Sequence, residues 1–196
     1  MITKTIIENI LIIAGESFWI LAVLSQLLRL IKTGDRKGLS APSQTLNAAG
    51  SIAWIAYFTS IHLFVPATTN FINGVITVMT LGYTLKDKRQ FTKGLLAIAT
   101  IGPLTSYLLI AYPSQSGWVG VIYNAIASTP WVVHVVRTKK TSGISERGFF
   151  FALGAMLCTL VYGVLVDSIP LITGCILGMT SSAIVMTYYY RYRYRS

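Results

Sequence analysis

Residues 25–40 read SQLLRLIKTGDRKGLS, and residues 130–145 read PWVVHVVRTKKTSGIS. Each window opens with a two-residue pair, runs through apolar residues to a basic residue and Thr, and closes on Gly-(Leu or Ile)-Ser. Thr33/Thr138, Gly38/Gly143 and Ser40/Ser145 are identical, while Lys32/Arg137 and Arg29/His134 keep their chemical class. The constant offset of 105 positions marks an internal repeat, which dictates the kind of fold before any single residue is read.

Composition sets the solvent. With 54% hydrophobic and 11% charged residues, a 196-residue chain cannot cover itself with a water-compatible surface, so it is expected in a lipid bilayer. The net charge of +10 does not indicate nucleic acid, because all Lys and Arg except Lys4 gather in short clusters at or between the ends of apolar segments. Cys158 and Cys175 both lie inside apolar runs and read as small packing groups rather than a disulfide or a metal pair.

Seven apolar segments, 6–31, 42–64, 66–85, 94–112, 118–136, 148–166 and 169–190, each approach or exceed the roughly 20 residues that cross a bilayer. The first is too long, and lacks an early cleavage site of small residues, to read as a signal peptide. Basic clusters (Lys32/Arg36/Lys37, Lys86/Lys88/Arg89/Lys93, Arg137/Lys139/Lys140/Arg147 and Arg191/Arg193/Arg195) occupy the first, third and fifth connections and the tail. The positive-inside rule then predicts an integral membrane protein with its amino terminus outside and its carboxyl terminus cytoplasmic. The terminal YYYRYRYRS reads as an aromatic and basic interfacial anchor.

Both repeat windows therefore fall on the cytoplasmic side. Three helices reverse the side of the chain, so two parallel three-helix copies need one helix between them. The expected fold is all-α: one membrane domain, 1–196, of seven transmembrane helices in two parallel three-helix repeats, 6–85 and 118–190, joined by an inversion helix at 94–112 (3+1+3). A complete pair of repeats needs no oligomeric partner to build a pore. Parallel repeats about an axis along the membrane normal are a transporter signature.

The degenerate Ser25-Gln26 and Pro130-Trp131 pairs followed by Gly-(Leu/Ile)-Ser resemble the PQ-loop family, and the 3+1+3 count resembles its SWEET branch of sugar transporters. That resemblance implies hinge prolines, of which Pro42 and Pro130 remain, and an inner gate at the level of Gln26 and Pro130, with Trp131 beside it. It also implies a sugar site framed by a Trp in the second helix of a unit and an Asn near the start of the third, matched by Trp54 and Asn70. The second unit offers Thr159 and Gly174 at these places, so the pocket is expected to be asymmetric.

Polar residues at helical spacing extend this pocket without reference to any family. Asn70, Asn73, Thr77, Thr80 and Thr84 share one face of the third segment; Asn47, Ser51, Trp54 and Phe58 share one of the second. In the first segment Glu16, Trp19, Val23 and Gln26 form a stripe, answered in the fifth by Val121, Asn124, Ser128 and Trp131. Such faces serve either a substrate path or hydrogen bonds between packed helices. Glu16 is the acidic residue well inside an apolar helix; its roles are proton coupling, contact with a cationic substrate, or a structural hydrogen bond to Asn124 or another interior group. Tyr57 and Tyr162, near the outer end, are candidates for an outer gate.

His62 and His134 lack companions for a metal or nucleophile site, so neither an enzyme nor a cofactor is expected. The reading is an alternating-access carrier of a small hydrophilic metabolite, first a mono- or disaccharide by uniport. The alternatives are a proton-coupled carrier of amino acids or other nitrogenous metabolites, and a ligand-binding receptor of the KDEL-receptor type, whose architecture is similar. The first copy is expected to dominate recognition and the second to dominate movement.

Overall fold

A computed structural model describes residues 2–192; the last residues of the aromatic and basic tail, Arg193 and Arg195 among them, and the side chain of Lys4 lie outside what it describes. Seven α-helices account for nearly all of it: α1 Ile2–Thr33, α2 Ala41–Ser60, α3 Phe64–Thr84, α4 Lys88–Ala111, α5 Ser116–Thr138, α6 Glu146–Leu165 and α7 Ile169–Tyr192, with one short 3-10 turn, Pro113–Gln115. All but α2 are long and apolar enough to cross a membrane by length and composition. The exception has a physical reason: α2 is enclosed by α3, α4 and α5, and it carries Ser43, Gln44, Thr45, Asn47 and Ser51 within its first three turns.

The connecting helix α4 begins at Lys88, ahead of the apolar run at 94–112, because Asp87 caps it by accepting from the Arg89 backbone N–H at 2.9 Å. Its charged first turn projects beyond the apolar stretch. Pro103 lies inside α4, as Pro130 lies inside α5, whereas Pro42 occupies the first turn of α2, where a proline costs no hydrogen bond.

Helix neighbours define the architecture. α3 lies between α1 and α2, and α7 lies between α5 and α6; across the two units α1 packs on α6 and α2 packs on α5. The sequence of neighbours α1–α3–α2–α5–α7–α6 returns to α1, so six helices form a closed ring with α4 against its outside at α2. Exchanging each helix for its repeat equivalent leaves this set of pairs unchanged, as two parallel copies require. Phe71, Val75 and Met79 of α3, Ile122 and Ile126 of α5, and Ile176 and Leu177 of α7 are exposed, as on a surface that meets lipid. Two buried clusters, Val135/Ile144/Phe149/Val185/Tyr189 and Ala48/Ala49/Leu81/Ile98, both sit in the half nearer the basic loops.

Candidate functional site

The two repeat windows meet each other at the basic end of the ring. Gln26 on α1 donates from Nε2 to the Gly143 carbonyl at 2.9 Å and accepts at Oε1 from the Ser145 N–H at 2.8 Å. Its repeat equivalent on α5, Trp131, donates from Nε1 to the Gly38 carbonyl at 3.1 Å. Each copy thus reaches across to the glycine of the other. The backbone closes the contact, with Gly143 N–H donating to the Lys37 carbonyl at 2.9 Å and the Arg29 guanidinium donating to the Ser142 carbonyl. Arg36 reaches instead to the Thr84 carbonyl at the end of α3, at 3.4 Å.

The identical residues of the repeat are the parts this clasp needs. A Cβ on Gly38 would stand 2.7 Å from the Lys140 carbonyl oxygen, and one on Gly143 would stand 2.7 Å from that of Asp35, so only glycine lets the loops touch. Ser40 and Ser145 cap α2 and α6, accepting from the N–H groups of Ser43 and Gly148. Thr33 and Thr138 each bond back to the carbonyl four residues earlier and accept from the chain two residues on, ending α1 and α5 in the same way. Beside the clasp, Pro42 and Pro130 line one groove of about 500 Å³ together with Ser40, His134 and Arg137.

Asp35 lies in the first of the two loops. It accepts from the Lys37 N–H at 3.0 Å and faces the Ser142 hydroxyl, which does not complete a hydrogen bond. Partial burial works to raise its pKa, but the Ser142 hydroxyl, the Lys37 N–H and the charges of Lys37 and Arg29 outweigh it and hold the carboxyl below its usual range.

Above the clasp, the contacts fix which way each helix face points. On α2, Ser43, the Leu46 carbonyl, Gly50 and Trp54 meet α5; Ser51 meets Gly74 of α3; Thr45, Ala49 and Ile52 meet α4. At about 3.6 residues per turn, Asn47 falls between the α5 and α3 faces, opposite α4, and so points into the ring. The same construction turns Trp19, Asn124 and Thr159 inward, and on α3 it turns Asn70, Asn73 and Thr77 inward between Thr69, which meets α1, and Gly74. Asn47 and Asn124 are exposed even though they face the centre, so the interior holds open space at their levels.

Depth brings most of these residues together. Counted from the basic ends of their helices at about 1.5 Å per residue, Trp19, Trp54, Asn70, Asn73, Asn124 and Thr159 share a layer roughly 17–21 Å deep. Asn47 lies nearer the basic end, and Glu16 lies about one turn beyond the layer. Two indoles, three carboxamides and a hydroxyl therefore converge from five of the six ring helices. The sixth, α7, presents Gly174 and Gly178 on this side, against Val121 and Met156.

The interior polar residues do little to tie helices together. Asn70, Ser51, Thr80, Thr84 and Thr159 all bond carbonyls of their own helix one turn back. Ser43 is an exception, donating to the Ala127 carbonyl of α5 at 2.8 Å. Asn73 Oδ1 is buried with no partner. Tyr57 stands at the outer end of α2, edge-on to Trp54 and within 3.3 Å of the Ser116 hydroxyl; Tyr162, its repeat equivalent on α6, sits near Glu8 of α1.

Two details differ from the expected stripes. The face of α1 that meets the other unit is Gly15, Phe18, Ala22 and Gln26, and that of α5 is Gly120, Tyr123, Ala127 and Trp131, one residue earlier than the stripes except at their last member. Glu16 consequently lies at the seam with α3, against the Thr69 hydroxyl, and not against Asn124, which is exposed on α5. The pair Gly15 and Gly120 escaped the sequence reading, although both are glycine at the repeat offset. Gly15 receives Cys158 and Thr159, and Gly120 receives the Trp54 indole, which makes Trp54 and Thr159 equivalent members of the two seams.

No protein-family model matches the chain. No curated protein matches it by sequence. A solved structure described as a eukaryotic SWEET transporter is similar over 95% of this chain and 98% of its own, with a TM-score of 0.66 at 15% identity. The chain has a SWEET-like seven-helix membrane fold.

Proposed function

We propose that the protein is an alternating-access carrier of a small hydrophilic solute, with a mono- or disaccharide by uniport as the first choice. The observation that carries this reading is the ring itself: six helices enclose an axis lined at one depth by Trp19, Trp54, Asn70, Asn73, Asn124 and Thr159 and clasped shut at the basic end. Indole faces pack against the C–H faces of a pyranose, and carboxamides both donate to and accept from hydroxyls. The resemblance of the fold to a SWEET transporter supports the same reading.

In this mechanism the solute enters from the outer end, past Tyr57 and Tyr162, and waits in the layer above the clasp. Release at the basic end requires Gln26 and Trp131 to let go of the opposite loops. Pro130, nine residues before the Lys139 cap of α5 and on the same helix as Trp131, supplies the bend, since it leaves the carbonyl one turn back without its helical donor. The clustered basic residues support a cytoplasmic position for this end. Trp54→Ala and Asn70→Ala are each expected to abolish sugar counterflow in proteoliposomes while the folded fraction by size-exclusion chromatography stays unchanged. Near-normal uptake by both would sink the assigned pocket.

A further inference from the structure

Glu16 is not required by the fold. Its repeat equivalent, Val121, lies against Gly174 in the α5–α7 seam, whereas Glu16 faces Thr69 of α3, so the second unit builds this contact without a carboxylate. The first unit carries a carboxylate and a hydroxyl where an apolar pair suffices. One turn along the same face of α3, Asn73 holds its Oδ1 buried and unpaired.

The charge of Glu16 has no counterpart in the surrounding helices. Between residues 5 and 28 of α1, throughout α3, and in α6 beyond Arg147, there is no Lys, Arg or His. The titratable groups on these elements are Glu8, Tyr83 at the far end of α3, Cys158 and Tyr162, none of them cationic. An ionised carboxylate in such a place needs a positive partner, and the interior of the ring is where one can arrive. Protonating Glu16 would satisfy that group alone and leave Asn73 Oδ1 without a donor. A solute with an ammonium group and further N–H or O–H donors satisfies both.

Resting on the carrier reading, we propose that the transported solute bears a primary ammonium group, held by Glu16 with the Thr69 hydroxyl behind it, and that a second donor of the solute bonds Asn73 Oδ1. An amino sugar is the simplest member of the proposed substrate class with this chemistry. Its ring occupies the layer of Trp19 and Trp54, and its amine points to the α1–α3 seam.

The test uses glucose, glucosamine and N-acetylglucosamine, the last with its amine neutralised. In proteoliposomes at neutral pH, glucosamine counterflow is expected to exceed that of the other two by roughly tenfold, the scale of one charge-assisted hydrogen bond. Glu16→Gln, which keeps the shape and the Thr69 contact, should remove this preference and spare glucose. Glu16→Val, which copies the second unit, should fold and behave likewise. Thermal-shift titration of the solubilised protein with glucosamine reads the contact without flux: wild type is stabilised and Glu16→Gln is not. Equal exchange of all three sugars with no amine-specific stabilisation overturns the ammonium site and leaves the carrier standing. Stabilisation without flux overturns the carrier and leaves the site, and neither signal overturns both. Glucose exchange that depends on pH in wild type and not in Glu16→Gln would identify a proton site instead and overturn the proposal.

Discussion

Single residues in this chain are intelligible through their repeat equivalents. Gly38 and Gly143 are the same residue because each stands under the backbone of the opposite loop, and Ser40 and Ser145 because each caps a helix. Where the copies differ, the difference marks a specialised place: Gln26 grips two backbone groups and Trp131 one, because an indole N–H can donate but its ring cannot accept. Asp35 brings a negative charge to the clasp where its equivalent, Lys140, carries a positive one. Its pKa is depressed on folding, so its contribution is present at neutral pH, fully so above its usual value near 3.8, and is lost as pH falls through the lower folded value. Melting curves of wild type and Asp35→Asn should therefore differ at pH 6–7, begin to converge only below about pH 4 and meet below the folded value, with wild type the more stable at the higher pH. A constant gap across that range would remove Asp35 from the clasp.

At the level of helices, the two seams α1·α6 and α2·α5 are one interface built twice. Gly15 and Gly120 allow close approach, Phe18 and Tyr123 lie over Gly154 and Gly50, and Ala22 and Ala127 present carbonyls to Gly148 and Ser43. Small residues let membrane helices touch, and in the proposed mechanism they would let whole units pivot on a narrow contact that the clasp below holds closed. Trp131→Phe keeps a ring stacked on Phe149, centroids now 5.5 Å apart, and loses the bond to Gly38; Gln26→Ala loses two bonds. With a net worth of about 1 kcal/mol per hydrogen bond, the first should raise the open population roughly fivefold and the second more. Maleimide labelling of a cysteine placed at Ser128, above the clasp, measures this from the basic side. An unchanged labelling rate in both variants would show that the clasp is not the gate.

For the whole molecule, charge predicts an orientation that labelling can test. The ends of α1, α3, α5 and α7 that carry the basic clusters lie together, and the opposite connections hold no Lys or Arg. A cysteine at Ser168, between α6 and α7, should react with a membrane-impermeant maleimide added to intact cells, and one at Lys139 should react after permeabilisation only. The reverse pattern would invert this orientation and, in the proposed mechanism, exchange the inner and outer gates. Closure of the ring explains how a chain of long apolar helices keeps a polar interior: α1, α3, α5 and α6 offer lipid an apolar arc and, with α2, show the axis their Asn, Thr and Trp.

Much of this was legible from residues alone. The repeat of residues 25–40, the seven segments and the polar faces that carry Trp19, Asn47, Trp54, Asn70, Asn73 and Asn124 follow from period and offset, because a helix converts spacing into direction, whereas Thr159 entered through the family resemblance. What the sequence could not supply is which helix stands beside which, since neighbours in the ring are not neighbours in the chain. Only the tertiary structure decided that Gln26 and Trp131 reach the opposite loops, that Trp54 rests on Gly120, and that Glu16 meets Thr69. A rotation of about 100° between adjacent residues separates a position facing the other unit from one facing its own, and that angle is fixed only when the partner helix is in place.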